Sequence, residues 1–319
     1  MMPAALRSRE AGVAGLILLT VMVVGAITPA FLSLQNLRDI LITAAPGLIV
    51  ACGLTLVVLM GEIDISMGAL MGVCAAVLGR LVSTDHAGLP VWAAMTIVLA
   101  LGAGVGLING LLVTVGKVPS IIATLGMLTA LTGISDLVMA GETIGHFPDN
   151  LRAWAIGSIG PIPIPVLVAI VCLIAFTVLT RSTPLGRRIY AIGSNPHAAR
   201  LAGLPVQRLK LLAFVITGAL TGLATLISAP QLEVIEAGFG RQFELLVVTA
   251  VVVGGTSISG GVGTIIGSGL GIVLLSLVRT VLIFLQLGIS ATYWERAIQG
   301  GFILAAVLAD HLGRKRGTH

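Results

Sequence analysis

Charge is what this chain has least of. Only 10% of its 319 residues are Asp, Glu, Lys or Arg, against about 25% in an ordinary soluble domain. Too few polar side chains remain to cover a surface in water, which excludes a soluble globule. Fully 57% of the residues are hydrophobic and the mean hydropathy is +1.10, so the solvent for most of the chain is lipid. Aromatics make up only 4%, and the three cysteines, Cys52, Cys74 and Cys172, each lie inside an apolar run. They read as small buried hydrophobes rather than disulfide partners or metal ligands. The histidines, His86, His146, His197, His311 and His319, are scattered through loops and ends with no metal-ligand spacing. There is no His-Glu-x-x-His, no Gly-x-Ser-x-Gly and no Gly-x-x-x-x-Gly-Lys-Ser/Thr. The expectation is a chain with no catalytic role, no metal, no cofactor and no nucleotide loop of its own.

What the chain does have is glycine, 41 residues of it, and long apolar runs. Glycine suits helices that pack closely in a bilayer, where small residues let backbones approach. About 20 apolar residues cross the hydrocarbon core as a helix. Runs near that length cover 12–30, 40–60, 65–82, 91–115, 119–140, 162–180, 210–229, 244–258, 264–286 and 293–311. This predicts an all-α polytopic membrane protein with about ten spanning helices, in a single transmembrane domain over residues 1–319. The first run has a basic start, "LRSRE", but no clear small-x-small cleavage site follows, so it reads as a retained signal anchor. "GGTSISGGVGTIIG" has the glycines of a phosphate loop without the lysine and abuts a span. Its glycines are read as allowing close packing and a kinked, mobile segment.

The net charge of +5 could suggest nucleic acid, but its distribution argues for membrane topology instead. With the N-terminus in the cytoplasm, Arg7, Arg9, Lys117, Arg181, Arg187, Arg188, Arg200, Arg208, Lys210, Arg314, Lys315 and Arg316 fall inside. Only Arg38, Arg152 and Arg241 fall outside. That is the bias of cytoplasmic loops, and it favours an even number of spans with both termini inside.

Two loops are too long for simple turns. Residues 141–161, outside, read as a structured surface loop. Residues 181–209, inside, run "RSTPLGRRIYAIGSNPHAARLAGLPVQRL". Pro184 and Gly186 are expected to break the preceding helix. Ser194 or Asn195 can cap a new one, with Pro196 at its first position, where a missing N–H costs nothing. Gly203 before Leu204-Pro205 stops it. A basic loop that sets orientation or binds anionic lipid explains Arg187 and Arg188. It does not explain a helix so sharply delimited. A rigid exposed helix is what a membrane protein needs to receive force from a soluble partner.

The stretch "GEIDIS" puts Glu62 and Asp64 between two apolar runs. A charge at the bilayer centre costs about 2.5–3.5 kcal/mol on insertion scales, so these acids need water or partners. One reading is a solvated turn in which Asp64 and Ser66 cap the third helix. The other is a re-entrant break facing a polar path, since irregular backbone at membrane depth must be buried in protein or line water. Asn109, Ser120 and Thr124 are further candidates for such a path, with interhelical hydrogen bonding the plain alternative. Arg279, deep in the ninth span, needs a partner, for which Glu295 or Gln286 can serve. Glu142, Asp149, Glu233 and Glu236 fall outside, where they can meet a soluble protein of opposite charge.

"TPLGRRIYAIGSNPHAARLAGLPVQRLK" resembles the cytoplasmic loop of the permease subunits of bacterial ABC importers for monosaccharides, the ribose-type branch. "GEIDISMGALMG", "KVPSIIATLGM" and "GGTSISGGVGTIIGSGLG" resemble three further segments of that family, in the expected order. Glu62 departs from the family pattern, which usually has Gly there. The resemblance implies a type II importer-like permease of the bacterial inner membrane that moves a ribose-, xylose- or rhamnose-like sugar by alternating access. Its partners would be cytoplasmic ATPase subunits, a periplasmic sugar-binding protein, and a second permease, identical or homologous. It makes Asn195, Pro196, His197, Ala198, Ala199, Arg200, Leu201, Ala202 and Gly203 the coupling helix, with Gly186, Arg187 and Arg188 leading into it. The chief rival is an ion-coupled secondary transporter of a small polar solute. That class usually buries ionisable groups near the midplane, and few stand there in this chain. A channel would need a ring of polar groups, and only weak candidates exist.

Overall fold

The computed structural model describes residues 4–285 and 290–316. The chain is a bundle of helices: α1 (Ala4–Ile27), α2 (Leu34–Leu59), α3 (Met67–Val82), α4 (Val91–Thr114), α5 (Ser120–Met139), α6 (Asp149–Ile156), α7 (Ile164–Ser182), α8 (Pro184–Ser194), α9 (Pro196–Leu201), α10 (Val206–Ser228), α11 (Phe243–Val253), α12 (Ile265–Phe284) and α13 (Ser290–Arg316). A two-stranded hairpin, β1 (Ser158–Ile159) with β2 (Ile162–Pro163), follows α6.

Every stretch expected to span falls on one of these helices, but the count of ten is not reproduced by length and composition. Seven helices among the described residues are long and apolar enough to cross: α1, α2, α4, α5, α7, α10 and α12. Helix α3 has 16 residues and α11 only 11. At 1.5 Å per residue α11 is about 16 Å long, roughly half the hydrocarbon thickness. The apolar run of the eighth expected span continues to residue 258. The helix in fact stops at Val253, because Gly254 and Gly255 follow it and Gly255 takes φ +96°.

Helix α2 is the axis. It is apolar all round and buried from Ala44 to Leu59, as expected of a helix enclosed by others. Helices α10, α12, α7 and α11 pack around it. The outer helices turn large apolar side chains outward: Ile121, Ile122, Leu125 and Leu137 on α5, and Val171, Ile174 and Val178 on α7. Only lipid tolerates such a surface.

The tightest seam joins α4 to α10. A Cβ on Gly102 would lie 2.3 Å from the Gly218 carbonyl oxygen, and one on Gly218 would lie 2.1 Å from that of Gly102. Gly106 approaches the Phe214 carbonyl equally closely, at 2.3 Å. The backbones touch because nothing projects between them. Along α10, Thr217, Thr221 and Thr225 each return their hydroxyl to the carbonyl one turn back, so three buried polar groups need no partner helix. Cys52, Cys74 and Cys172 are all buried thiols.

The two ends of the bundle differ. One carries α8, α9 and the start of α10. The Glu10 carboxylate on α1 accepts from the Thr264 hydroxyl at the foot of α12, which brings the beginning of α1 to this end. The other end carries α6, the hairpin and a bridge between Ile144 and Ile235. There Arg80 donates to the Val138 and Met139 carbonyls at the close of α5 and pairs with Glu142 at 2.8 Å. A guanidinium on a helix C-terminus satisfies its orphan carbonyls and opposes its dipole.

Candidate functional site

At the α9 end the loop 181–209 folds into two helices, where the sequence suggested one. The preceding helix, α7, ends at Ser182, just before Pro184, as expected. Pro184 also opens α8, with Thr183 as N-cap accepting from the Gly186 N–H at 3.2 Å. Gly186 therefore lies inside α8, correcting its expected role as a helix breaker. A side chain is excluded there because a Cβ would meet the Thr180 carbonyl oxygen at 2.2 Å. Arg187 and Arg188 are exposed on α8, while Ile189, Ile192 and Gly193 are buried beneath it.

Helix α9 forms as expected. The Asn195 side chain accepts from the N–H groups of His197 (3.1 Å) and Ala198 (2.9 Å), Pro196 occupies the first turn, and Gly203 ends it at φ +78°. His197, Ala198, Arg200, Leu201, Ala202 and Gly203 are exposed, and Ala199 is the buried anchor. Leu201 is 79% exposed, an apolar knob on an otherwise polar tip.

Helix α8 sits directly on the break between α2 and α3. At Gly193 a Cβ would lie 1.8 Å from the Leu59 carbonyl oxygen and 2.4 Å from the Gly261 nitrogen. The Gly261 N–H in turn donates to Leu59 at 2.8 Å. Beside it the Tyr190 hydroxyl donates to the Gly263 carbonyl at 2.7 Å. Burial pushes the Tyr190 phenol above its usual range, although Arg181 opposes this, so the group remains a neutral donor. Three segments thus meet in one backbone-to-backbone junction: α8, the end of α2 and the glycine loop 254–263. The glycines of that loop do provide close packing.

The break itself is not a solvated turn. Asp64 is 3% exposed and Ser66 1%. The Asp64 carboxylate accepts from both the N–H (2.8 Å) and the hydroxyl (2.7 Å) of Ser66, and Asn109 donates to that hydroxyl at 2.9 Å. Ser66 holds the N-cap position of α3 but its side chain makes no cap bond. Its hydroxyl is committed to Asp64 instead. Ser120 accepts from the Ile63 N–H at 3.1 Å, and Thr124 lies 3.4 Å from the Ile63 carbonyl oxygen. Glu62 pairs with Lys210 at the start of α10. All six polar residues singled out in the sequence therefore converge on one irregular turn. The buried amide oxygen of Asn109 has no hydrogen-bond partner among the described residues. None of the six lines either of two cavities walled in part by residues between 238 and 244.

The larger of these two, about 390 Å³, lies among α2, α11, α12 and α13. Arg241, Gln242, Arg279, Glu295, Arg296 and Gln299 give it polar walls, and Phe243, Leu246 and Ile272 an apolar one. Arg279 faces Glu295 at 3.9 Å. Gln286, the other partner suggested for Arg279, lies outside the described residues. The smaller cavity, about 240 Å³, is lined by α3, α5 and residues 238–244, with Thr132, Ser135, Asp136 and Glu244 on its walls. Sequence reasoning picked out Thr132, Asp136, Arg279, Glu295 and Gln299 as polar residues of the spans, but not their gathering around residues 238–244. The available signal was "EAGFGRQF", a glycine-punctuated stretch next to an unusually short span.

Against known proteins, residues 36–307 match the family model described as branched-chain amino acid transport system / permease component. The chain belongs to that family. Within the family it is 35% identical to the ribose import permease protein RbsC of Haemophilus influenzae, over 94% of this chain and 93% of the relative. It is 34% identical to the RbsC of Escherichia coli K12, over 92% and 91%. It is 36% identical to the autoinducer 2 import system permease protein LsrC of an Enterobacter species, over 98% and 88%. Family membership accounts for the multi-pass architecture, and it places the chain among permease components rather than catalytic subunits.

Proposed function

We propose that this chain is the membrane-spanning permease subunit of an ATP-driven importer for a monosaccharide. Helix α9 would dock on a separate cytoplasmic ATPase, and a periplasmic sugar-binding protein would deliver substrate at the α6 end. A second permease, identical or homologous, would complete the path. The observation that carries this reading is the seating of Gly193 against Leu59 and Gly261. It joins the exposed, firmly capped α9 through rigid α8 to the polar break at the core of the bundle. Motion imposed on α9 reaches that break with no compliant side chain between them. Residues Gly186 to Gly203 form the coupling element in this account. Glu62, Asp64, Ser66, Asn109, Ser120 and Thr124 shape the path where it opens toward the α9 end. The positive-inside distribution supports placing α9, and both termini, in the cytoplasm. The names of the ribose and autoinducer 2 import permeases support a small polyhydroxylated cargo.

The test is reconstitution. Proteoliposomes holding the chain with its ATPase and binding protein should accumulate radiolabelled ribose, xylose or rhamnose only when ATP is supplied. Concentrative uptake by the chain alone under a proton or sodium gradient would establish the secondary-transport reading instead.

A further inference from the structure

Residues 238–242 connect the α6 end of the bundle to α11, and they carry an unusual backbone. Gly238, Gly240 and Gln242 take φ of +94°, +81° and +68°. Gln242 is not a glycine, and a long side chain in the left-handed region stores strain. The segment is pressed onto α3. A Cβ on Gly240 would lie 2.4 Å from the Gly68 carbonyl oxygen, and one on Gly72 would lie 2.9 Å from that of Phe239. Non-helical backbone at membrane depth is tolerated where it is buried in protein or lines a cavity. This segment lines cavities: Gly238, Phe239 and Gly240 are half-buried, while Arg241 and Gln242 are exposed. Phe239, Arg241 and Gln242 are the residues shared between the linings of the larger and the smaller cavity.

The shared residues stand as a partition, and their chemistry is that of polyol recognition. Gln242 occupies the N-cap position of α11 yet makes no side-chain cap bond, so its amide remains available to the cavities. Arg241 lies 3.8 Å from Asp136 on the wall of the smaller cavity. Across the larger cavity Arg279 faces Glu295, to which Gln299 donates at 3.4 Å. Planar guanidinium, carboxylate and amide groups engage neighbouring hydroxyls in pairs. Phe243 supplies an apolar face for the C–H side of a sugar ring. The charges are matched at two of these pairs, which suits a neutral ligand. A volume of about 390 Å³ lies at the small end of ligand pockets, which run from about 300 to 1,000 Å³.

We infer that the permease itself holds a substrate station here: Gln242 and Arg241, between two cavities, bind a neutral monosaccharide through its hydroxyls on its way from the α6 end. This rests on the importer reading above and adds to it a residue that sets apparent affinity within the membrane.

The experiment compares Gln242→Gly and Gln242→Asn in the reconstituted complex, with uptake of radiolabelled D-ribose, D-xylose and L-rhamnose measured over a range of saturated binding protein. Glycine accepts the left-handed backbone and removes the amide, so relief of strain and loss of recognition are separated. Asparagine tolerates the same backbone and keeps the amide. For whichever sugar the wild-type complex transports, Gln242→Gly should raise the apparent KM by about tenfold, as the loss of one or two hydrogen bonds implies. Gln242→Asn should recover most of that rise. Both variants should elute with the ATPase at the wild-type position. If wild type transports sugar and Gln242→Gly keeps the wild-type KM, the station is absent while the importer reading stands. A KM raised equally by Asn and Gly would likewise overturn a role for the amide. If the wild-type complex transports none of the sugars under ATP, the importer reading itself fails, and the station with it.

Discussion

The ammonium of Lys210, at the start of α10, pairs with the carboxylate of Glu62 in the break between α2 and α3. The two side chains are only 17% and 16% exposed. Their positions are 148 residues apart in the chain. Lys210 lies in the first turns of the helix that follows α9, so this pair ties the proposed docking loop to the break by charge, alongside the backbone contact at Gly193.

Removing one member leaves the other charge largely shielded from water. Glu62→Gln or Lys210→Met should each cost about 3 kcal/mol, the lower end for breaking a buried pair. The double replacement should cost clearly less than the sum, since no orphan charge remains. Thermal unfolding of the detergent-purified chain measures all three. Additive losses would mean that the two side chains do not interact.

Gly193→Ala should abolish assembly of a functional complex. The added methyl would meet backbone atoms, the Leu59 carbonyl and the Gly261 nitrogen, which have no rotamer to yield. Gly126→Ala on α5 is the matched control, since nothing lies within 4 Å of the point its methyl would occupy. Expression and size-exclusion profiles of the two variants should differ sharply; equal behaviour would remove the junction from the mechanism.

Asn195→Ala deletes both hydrogen bonds that begin α9, and loss of an N-cap costs about 1 kcal/mol. The bundle should melt as before, while retention of the ATPase on an affinity-tagged permease falls several-fold. Asn195→Asp, which keeps the cap, should retain it. An unchanged pull-down with the alanine variant would show that docking does not depend on an ordered α9.

The glycine seam between α4 and α10 makes a separate prediction. Gly218→Val would force apart backbones now in contact, and overpacking of this kind costs about 1–3 kcal/mol or more. The melting temperature should drop by several degrees with the ATPase contacts intact. Gly104→Val on the same helix as Gly102, where no atom lies within 4 Å, should be tolerated.

Much of this molecule was written locally. Apolar runs near the bilayer thickness reveal membrane helices because lipid offers no partner to a backbone that is not helical. The start and stop of α9 were legible in Asn195, Pro196 and Gly203 because capping acts over three or four residues. The polar residues of the break stood out as hydrophilic groups in an apolar chain. Where the reading slipped, the cause was neighbouring structure. Pro184 does bound the preceding helix, which ends at Ser182, but it also opens α8, and Gly186 is needed inside α8 for its approach to Thr180.

Four things needed the folded chain. The burial of Asp64 depends on Ser66 and on Asn109, which arrives from another helix, and no local pattern distinguishes that from a wet turn. The ion pair of Glu62 with Lys210 and the seating of Gly193 on Leu59 join residues far apart in sequence. The partition at Gln242 exists only because Gly68 and Gly72 on α3 let a distant loop press in. Hydropathy and capping are properties of a short stretch and its solvent, so the amino-acid order alone determined a helical membrane bundle with a delimited exposed helix. Which polar groups face one another, and where space remains between helices, follow from close packing among distant segments, and that only the tertiary structure decided.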